Sequence, residues 1–368
     1  MNASIKIKDV TITLEALAPR GYQENYDNAG LLTGNANADC TGILVTLDCT
    51  EAVVQEAIQQ GCNLIVAHHP IVFKGLKKLT GNHYVERVII AAIKNDIAIY
   101  AIHTNLDNVM DGVNRKMCER IGLKNLKILV PKTDTLKKLV TFIPKEHADA
   151  VLSALYQAGA GQIGNYQNCS FQVAGMGTFM PGEAATPHIG KTHVQETVEE
   201  IRAEVIFPVP LEGAVLAALR KAHPYEEVAY YLSVLTNENQ EVGSGMTGEL
   251  ETPMEPLEFL QGLKVRMEAQ VIRYTAFSRP LIKKVAVCGG SGSFLLSKAI
   301  QAGADIFITA DFKYHEFFDA DGKIIIADIG HYESEAFTKE LLQEVLRKKF
   351  PTFAINFSKT VTNPISYL

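Results

Sequence analysis

No Cys-x-x-Cys pair occurs in this chain, and its six cysteines (Cys40, Cys49, Cys62, Cys118, Cys169 and Cys288) are scattered. That argues against a thiolate zinc site and against a disulfide framework, and fits reduced thiols in a cytoplasmic protein. No apolar run approaches the roughly 18 residues of a membrane span, and the N-terminus lacks the basic, apolar, small-residue order of a secretion signal. The expectation is a soluble, cytoplasmic protein with no membrane partner. Positive charge is also short: 35 Lys and Arg stand against 41 Asp and Glu, a net charge of −6. Nucleic acid is therefore not the expected partner, although the Lys74 to Lys78 stretch is a local basic patch. The Gly289-Gly-Ser-Gly-Ser293 stretch is neither a Walker A loop nor a full G-x-G-x-x-G.

What is present is an ordinary globular composition, 47% hydrophobic and 21% charged over 368 residues. A chain of this size buries a large core and holds two or more domains. Its organising stretch is Gly-Cys-Asn-Leu-Ile-Val-Ala-His-His-Pro, residues 61 to 70. Asn63 to Ala67 reads as a short buried strand, ended by Pro70, which has no N–H to donate. His68 and His69 leave that strand at its carboxyl end, where open α/β sheets bind ligands. Two adjacent imidazoles pointing in opposite directions suit two neighbouring metal ions; the alternative is a pair of surface or capping histidines.

Around this stretch the pattern alternates. Residues 5 to 17 are expected to lead into a first helix, broken by Pro19 and Gly21, with a turn into a strand at Asp27 to Leu32 and strands at Ile43 to Leu47 and Ile97 to Ile102. Helices are expected over 51 to 60, capped by Thr50, and near 85 to 95. This predicts a mainly parallel sheet covered by helices. Near Pro131 the texture changes. Strand, helix, strand, strand, helix, strand follow in order, with strands at 136–143, 170–174 and 204–208 and helices at 145–158 and 211–222. That order predicts a ferredoxin-like module, with Gly243 to Gly248 as its exit.

The first texture then returns as a repeat. Ala57 to Val66 lies over Ala299 to Ile308 without a gap, and Ile43–Val45 lies over Val285–Val287 at the same offset. With a small change of offset, His103-x-x-x-Asp107 lies over His331-x-x-x-Glu335. The predicted fold class is therefore α/β: two pseudo-repeated α/β units form one metal-binding core, and an α+β domain is inserted between them. The expected boundaries are 1–130, 131–248 and 249–368.

Imidazole and carboxylate build zinc, iron, manganese and nickel sites. His68, His69, His103 and His331 all sit at expected strand ends beside carboxylates. Each His-x-x-x-acid pair shares one face if the strand end opens into a helical turn. A carboxylate can also bridge two cations, which an imidazole cannot.

These motifs, Asp-Asn-Ala-Gly-Leu-Leu (27 to 32), Ala-His-His-Pro (67 to 70), His-Thr-Asn-Leu-Asp (103 to 107) and Gly-His-Tyr-Glu-Ser-Glu (330 to 335), resemble the GTP cyclohydrolase I type 2 homologues. That family is also called the NIF-three-like dinuclear metal proteins. The resemblance spans essentially the whole chain, and His-Pro-Tyr-Glu-Glu (223 to 227) resembles the PII/CutA-like insert of its longer bacterial members. It implies two divalent metal ions, zinc, iron, manganese or nickel, one held by His69, Asp107 and Glu335 and the other by His68, His331 and Glu335. It implies His103 as a neighbour of the metals, ring-shaped homohexamers, and hydrolysis that opens a purine ring by metal-bound hydroxide, with GTP as the named substrate. A phosphoesterase, or a non-catalytic metal-binding or regulatory protein with a ligand-sensing insert, are the alternatives.

Other residues have two readings each. Gly289, Gly290, Ser291 and Gly292 either cradle a phosphate of a small-molecule or nucleotide substrate with their N–H groups, or form an ordinary β–α turn. Asp311 and His315 face the metal pocket if the repeat holds, with His315 either an acid or base or a polar rim residue. Asp48 reads as a helix-entry residue. His223 either binds an effector or forms a turn over a packed Tyr225. His83, His147, His188 and His193 read as surface residues.

Overall fold

The computed structural model describes residues 4–368. The first part of the chain runs α1 (Ile7–Leu17), β1 (Gly30–Thr33), β2 (Ile43–Thr46), α2 (Glu51–Gln59), β3 (Leu64–Ala67), α3 (Tyr84–Lys94), β4 (Ala98–Ala101), α4 (Thr104–Asp107), α5 (Val113–Ile121) and β5 (Lys124–Lys132). The middle runs β6 (Leu136–Pro144), α6 (Ala148–Gln157), β7 (Phe171–Phe179), β8 (Glu196–Pro208), α7 (Glu212–Ala222) and β9 (Tyr230–Leu235). The last part runs β10 (Asn239–Met254), α8 (Pro256–Arg266), β11 (Arg273–Tyr274), β12 (Ile282–Ser291), α9 (Leu296–Gln301), β13 (Ile306–Ala310), β14 (Ile325–Asp328), α10 (His331–Glu335), α11 (Thr338–Lys349) and β15 (Ile355–Phe357).

These elements form a mixed α/β fold in two compact units, one of the described residues up to 131 with 240–368 and the other of residues 132–239. The expected boundary at 248 therefore moves. Met246, Thr247 and Gly248 pair antiparallel with Val287, Ala286 and Val285 of β12, so the stretch read as an exit loop is a strand of the outer unit. Its glycines misled the reading. A Cβ on Gly243 would stand 2.2 Å from the Val130 carbonyl oxygen, so glycine is there to let two backbones approach, not to make a turn.

The outer unit has two sheets, ordered β1-β4-β3-β2-β15 and β11-β14-β13-β12-β10-β5. In the first, β2, β3 and β4 are parallel and β1 runs antiparallel to β4. In the second, β12, β13 and β14 are parallel and β11 runs antiparallel to β14. The first four strands of the two sheets thus repeat one order and one set of directions; beyond them β15 is parallel to β2, whereas β10 is antiparallel to β12. Every residue of β2, β3, β4, β13 and β14 is buried, which is why these strands are continuous apolar runs rather than alternating ones. Local signals hold at the ends as well: the Thr50 side chain accepts from the Val53 N–H at the start of α2.

In the middle unit the sheet order is β7-β8-β6-β9, and each neighbouring pair is antiparallel. Leu139 and Phe207 of the sheet share one core with Val151 and Leu155 of α6 and Val215 and Leu219 of α7. Strand β8 runs for 13 residues, well past the five that its apolar end predicts.

Candidate metal centre

The carboxyl ends of the parallel strands of both sheets supply the chemically active residues. His68 and His69 follow β3, Asp48 follows β2, His103 follows β4, Asp311 follows β13 and His331 follows β14. After β4 and β14 the chain turns at once into one-turn helices, α4 and α10. These carry Asp107 and Glu335 back towards the histidines. His68 is fully buried and Glu335 is 3% exposed.

Glu335 is the centre of the arrangement. Its Oε2 lies 2.8 Å from His69 Nε2 and 3.1 Å from His331 Nε2, while its Oε1 lies 3.8 Å from His68 Nε2. On that second side Asp107 Oδ1 is 3.6 Å from His68 Nε2. Two donor triads result, His68 with Asp107 and Glu335, and His69 with His331 and Glu335, the donor atoms of each lying within 4.8 Å of one another. This grouping differs from the expected one, which joined His69 to Asp107 and His68 to His331. The reason is geometric: α10 sets His331 and Glu335 one turn apart on one face, so His331 meets the same carboxylate oxygen as His69, whereas the buried His68 faces Asp107.

The remaining ring nitrogens are already committed. His68 Nδ1 bonds the Ile102 carbonyl oxygen at 2.8 Å. His69 Nδ1 bonds Asp48 at 2.7 Å, His331 Nδ1 bonds Asp311 at 2.7 Å and His103 Nδ1 bonds Asp27 at 2.7 Å. A carbonyl or carboxylate on Nδ1 fixes that nitrogen as the N–H donor and leaves Nε2 with its lone pair free to bind a cation. His68 Nε2 and Asp107 Oδ1 are buried without any hydrogen-bond partner. Buried polar atoms are normally paired, so this orphaned acceptor pair fits a cation between them.

The electrostatics agree. Burial, then the neighbouring Glu335 charge, pushes the Asp107 carboxyl well above its usual range. Burial lowers His68 and keeps it neutral. Glu335 is held well below the usual range, because the His331 and His69 rings in contact with it, and the His68 ring nearby, outweigh its burial. A neutral His68 and a destabilised Asp107 carboxylate set against the buried Glu335 charge are a costly arrangement that a divalent ion relieves. The residues fit a metal.

The chain matches the model of the Duf34/NIF3 (NGG1p interacting factor 3) family over residues 5–364. It belongs to this family. It is 38% identical to the GTP cyclohydrolase 1 type 2 homolog of Bacillus subtilis, with all of both chains covered. It is 40% identical to the protein of the same description from Halalkalibacterium halodurans, over 96% of each chain. The crystal structure of a Bacillus cereus protein related to NIF3 superposes with a TM-score of 0.87 at 36% identity, covering all of both chains. The motifs read in the sequence thus lie in a Duf34/NIF3 chain.

Other sequence candidates land elsewhere in this Duf34/NIF3 fold. His103 stands beside the triads, its donor nitrogen within 4.8 Å of those of His68 and His69. Gly289 and Gly290 do not offer a phosphate cradle. The Gly289 N–H donates to Asn114 Oδ1 at 2.9 Å and the Gly290 N–H to Ser334 Oγ at 2.9 Å. Gly290 has φ +64°, and a Cβ there would stand 2.3 Å from Glu335 Oε1, so the glycine makes room for the carboxylate. Ser291 ends β12 and Gly292 packs against Thr309 and Cys288. His315 is exposed and meets the rings of Tyr314 and Phe318, outside the cluster. His223 is buried: one ring nitrogen bonds the Phe142 carbonyl oxygen and the other accepts the Tyr225 N–H, which makes it a turn residue. Asp48 and Asp27 were underread as helix entry and motif. Each lies just before or after a strand neighbouring a histidine-bearing one, and strand adjacency is the signal that finds them.

Proposed function

We propose that this chain is a metal-dependent hydrolase whose centre holds two divalent cations, one among His68, Asp107 and Glu335 and the other among His69, His331 and Glu335. The observation that carries this reading is the convergence of both triads on the two oxygens of one buried carboxylate. Cations bound there would supply Lewis acidity and an acidified water at neutral pH. The chain's own residues do the rest. Asp48, Asp311 and the Ile102 carbonyl oxygen fix the imidazole tautomers, and Gly290 admits Glu335. Asp27 holds the His103 Nδ1–H, so that Nε2 accepts a hydrogen bond from water or substrate.

The description carried by the Bacillus subtilis relative points to a purine nucleotide. The reaction is then hydrolytic: one water adds at C8 and opens the imidazole ring, and a second releases the formyl group as formate. The β–α–β–β–α–β order of the middle unit supports its reading as a ferredoxin-like, PII/CutA-like module that senses a ligand.

The test is metal content by elemental analysis together with formate release from GTP, on wild type and on Glu335→Gln. Two metals per chain and formate that disappears with Glu335→Gln are expected. Metals without formate would discard the substrate and make a metal-binding protein the better reading. Full metal content in Glu335→Gln would sink the centre itself.

A further inference from the structure

One wall of this centre is built of aromatic side chains that the fold leaves exposed. The Phe73 ring stands nearly perpendicular to His103, with centroids 6.3 Å apart. His103 is in turn 5.3 Å and 5.4 Å from the rings of His68 and His69. Tyr26 continues the row, 6.2 Å from Phe73. Tyr26 is 65% exposed and Phe73 is 43% exposed, so neither is explained by core packing.

The segments that carry both rings are nevertheless tied down. Asp27, next to Tyr26, bonds His103 Nδ1 and both the N–H and hydroxyl of Thr104. Asn28 Nδ2 donates to the Val72 carbonyl oxygen at 2.6 Å, joining the Tyr26 segment to the residue before Phe73. An exposed aromatic pair anchored in this way beside a reaction centre is preorganised to hold a flat ring. The loop that follows carries Lys74, Lys77 and Lys78, all exposed and, among the described residues, without a hydrogen-bond or ion-pair partner. Unpartnered ammonium groups are point-charge donors for phosphate oxygens.

We propose that Tyr26 and Phe73 form a stacking platform for a planar heteroaromatic ring, and that Lys74, Lys77 and Lys78 take the phosphates attached to it. The substrate class is therefore a free nucleotide. This assignment rests on the hydrolase reading of the metal centre and names what that centre works on. A net charge of −6 favours a small anion over a polyanionic strand, whose affinity depends on many neutralised phosphates.

The test is calorimetric titration of the full-length, metal-loaded protein with GTP, guanosine and tripolyphosphate. Stacking on one ring predicts that Phe73→Ala weakens GTP and guanosine about tenfold and leaves tripolyphosphate unchanged. Phe73→Trp should restore both. The triple replacement Lys74→Ala, Lys77→Ala, Lys78→Ala should weaken GTP and tripolyphosphate about tenfold and spare guanosine. The platform is overturned if Phe73→Ala leaves guanosine binding intact, or if the wild type binds neither GTP nor ATP, CTP or UTP. A single-stranded oligonucleotide that binds far more tightly than every mononucleotide overturns the free-nucleotide assignment. Metal content is read by elemental analysis on the same samples, so failure of the platform and failure of the metal centre give different results.

Discussion

At the scale of single residues, the centre depends on groups that never meet the cation. Asp48 bonds His69 Nδ1 through one oxygen and accepts the Thr362 hydroxyl at 2.6 Å through the other. Asp48→Asn keeps the volume but loses the charge that favours the Nδ1–H tautomer. It should lower metal affinity about 10- to 100-fold in a chelator-competition titration. The metal-free protein should also show a characteristic pH response. Burial works to lower the His69 pKa, yet its bonds to Asp48 and Glu335 prevail and push it up to about 10. His331 is pushed up to about 11 in the same way by Asp311 and Glu335. Over that range the folded chain holds protons that unfolded imidazoles, at about 6.5, have released. The stabilisation is therefore complete below about pH 6.5 and is lost as pH rises through about 10 to 11. Thermal melts in chelator should fall from pH 7 to pH 10. The increment from added zinc should grow over the same interval, because the cation must displace those protons. A zinc increment that shrinks as pH rises would contradict this. The ligand types were legible in the sequence because imidazole and carboxylate at strand ends have few other uses. Their grouping was not, since it depends on which oxygen of Glu335 each ring meets.

At the scale of elements, β3 holds the centre in place. All four of its residues are buried between β2 and β4, and Ile65 is fully inaccessible in a core with Val53, Val88 and Ile99. Ile65→Ala removes methylenes from a packed site and should cost about 2–5 kcal/mol in urea unfolding. A cost below 1 kcal/mol would mean that the site collapses around the gap. Strand β3 was readable within a residue because a short apolar run closed by His-His-Pro has one simple interpretation. Strand β10 was not, because Gly243, Gly245 and Gly248 look like turn residues until β5 is seen to lie against them. Strand β8 was cut short for a different reason. Its first half, Glu196 to Arg202, is largely polar, and antiparallel pairing with β7 extends it where side-chain pattern does not.

At the scale of the whole molecule, the repeat decides what the chain can lose. The outer unit contains both sheets and every residue of the two donor triads, whereas residues 132–239 form a separate compact unit with its own core. The two points where the chain leaves and re-enters the outer unit belong to neighbouring strands, β5 and β10. They lie close, since a Cβ on Gly243 would come within 2.8 Å of Pro131 Cα. Joining Pro131 to Gln240 through Asn-Gly should therefore close a short hairpin with little strain. The shortened protein should fold and keep the metal content of the full chain by elemental analysis. It should also keep the GTP affinity proposed for the Tyr26 and Phe73 platform, because those residues all lie in the outer unit. Any ligand response carried by the middle unit should vanish with it. A folded but metal-free product would show that the centre needs the insert, and would assign to residues 132–239 a structural part in the chemistry that neither the repeat nor the topology provides.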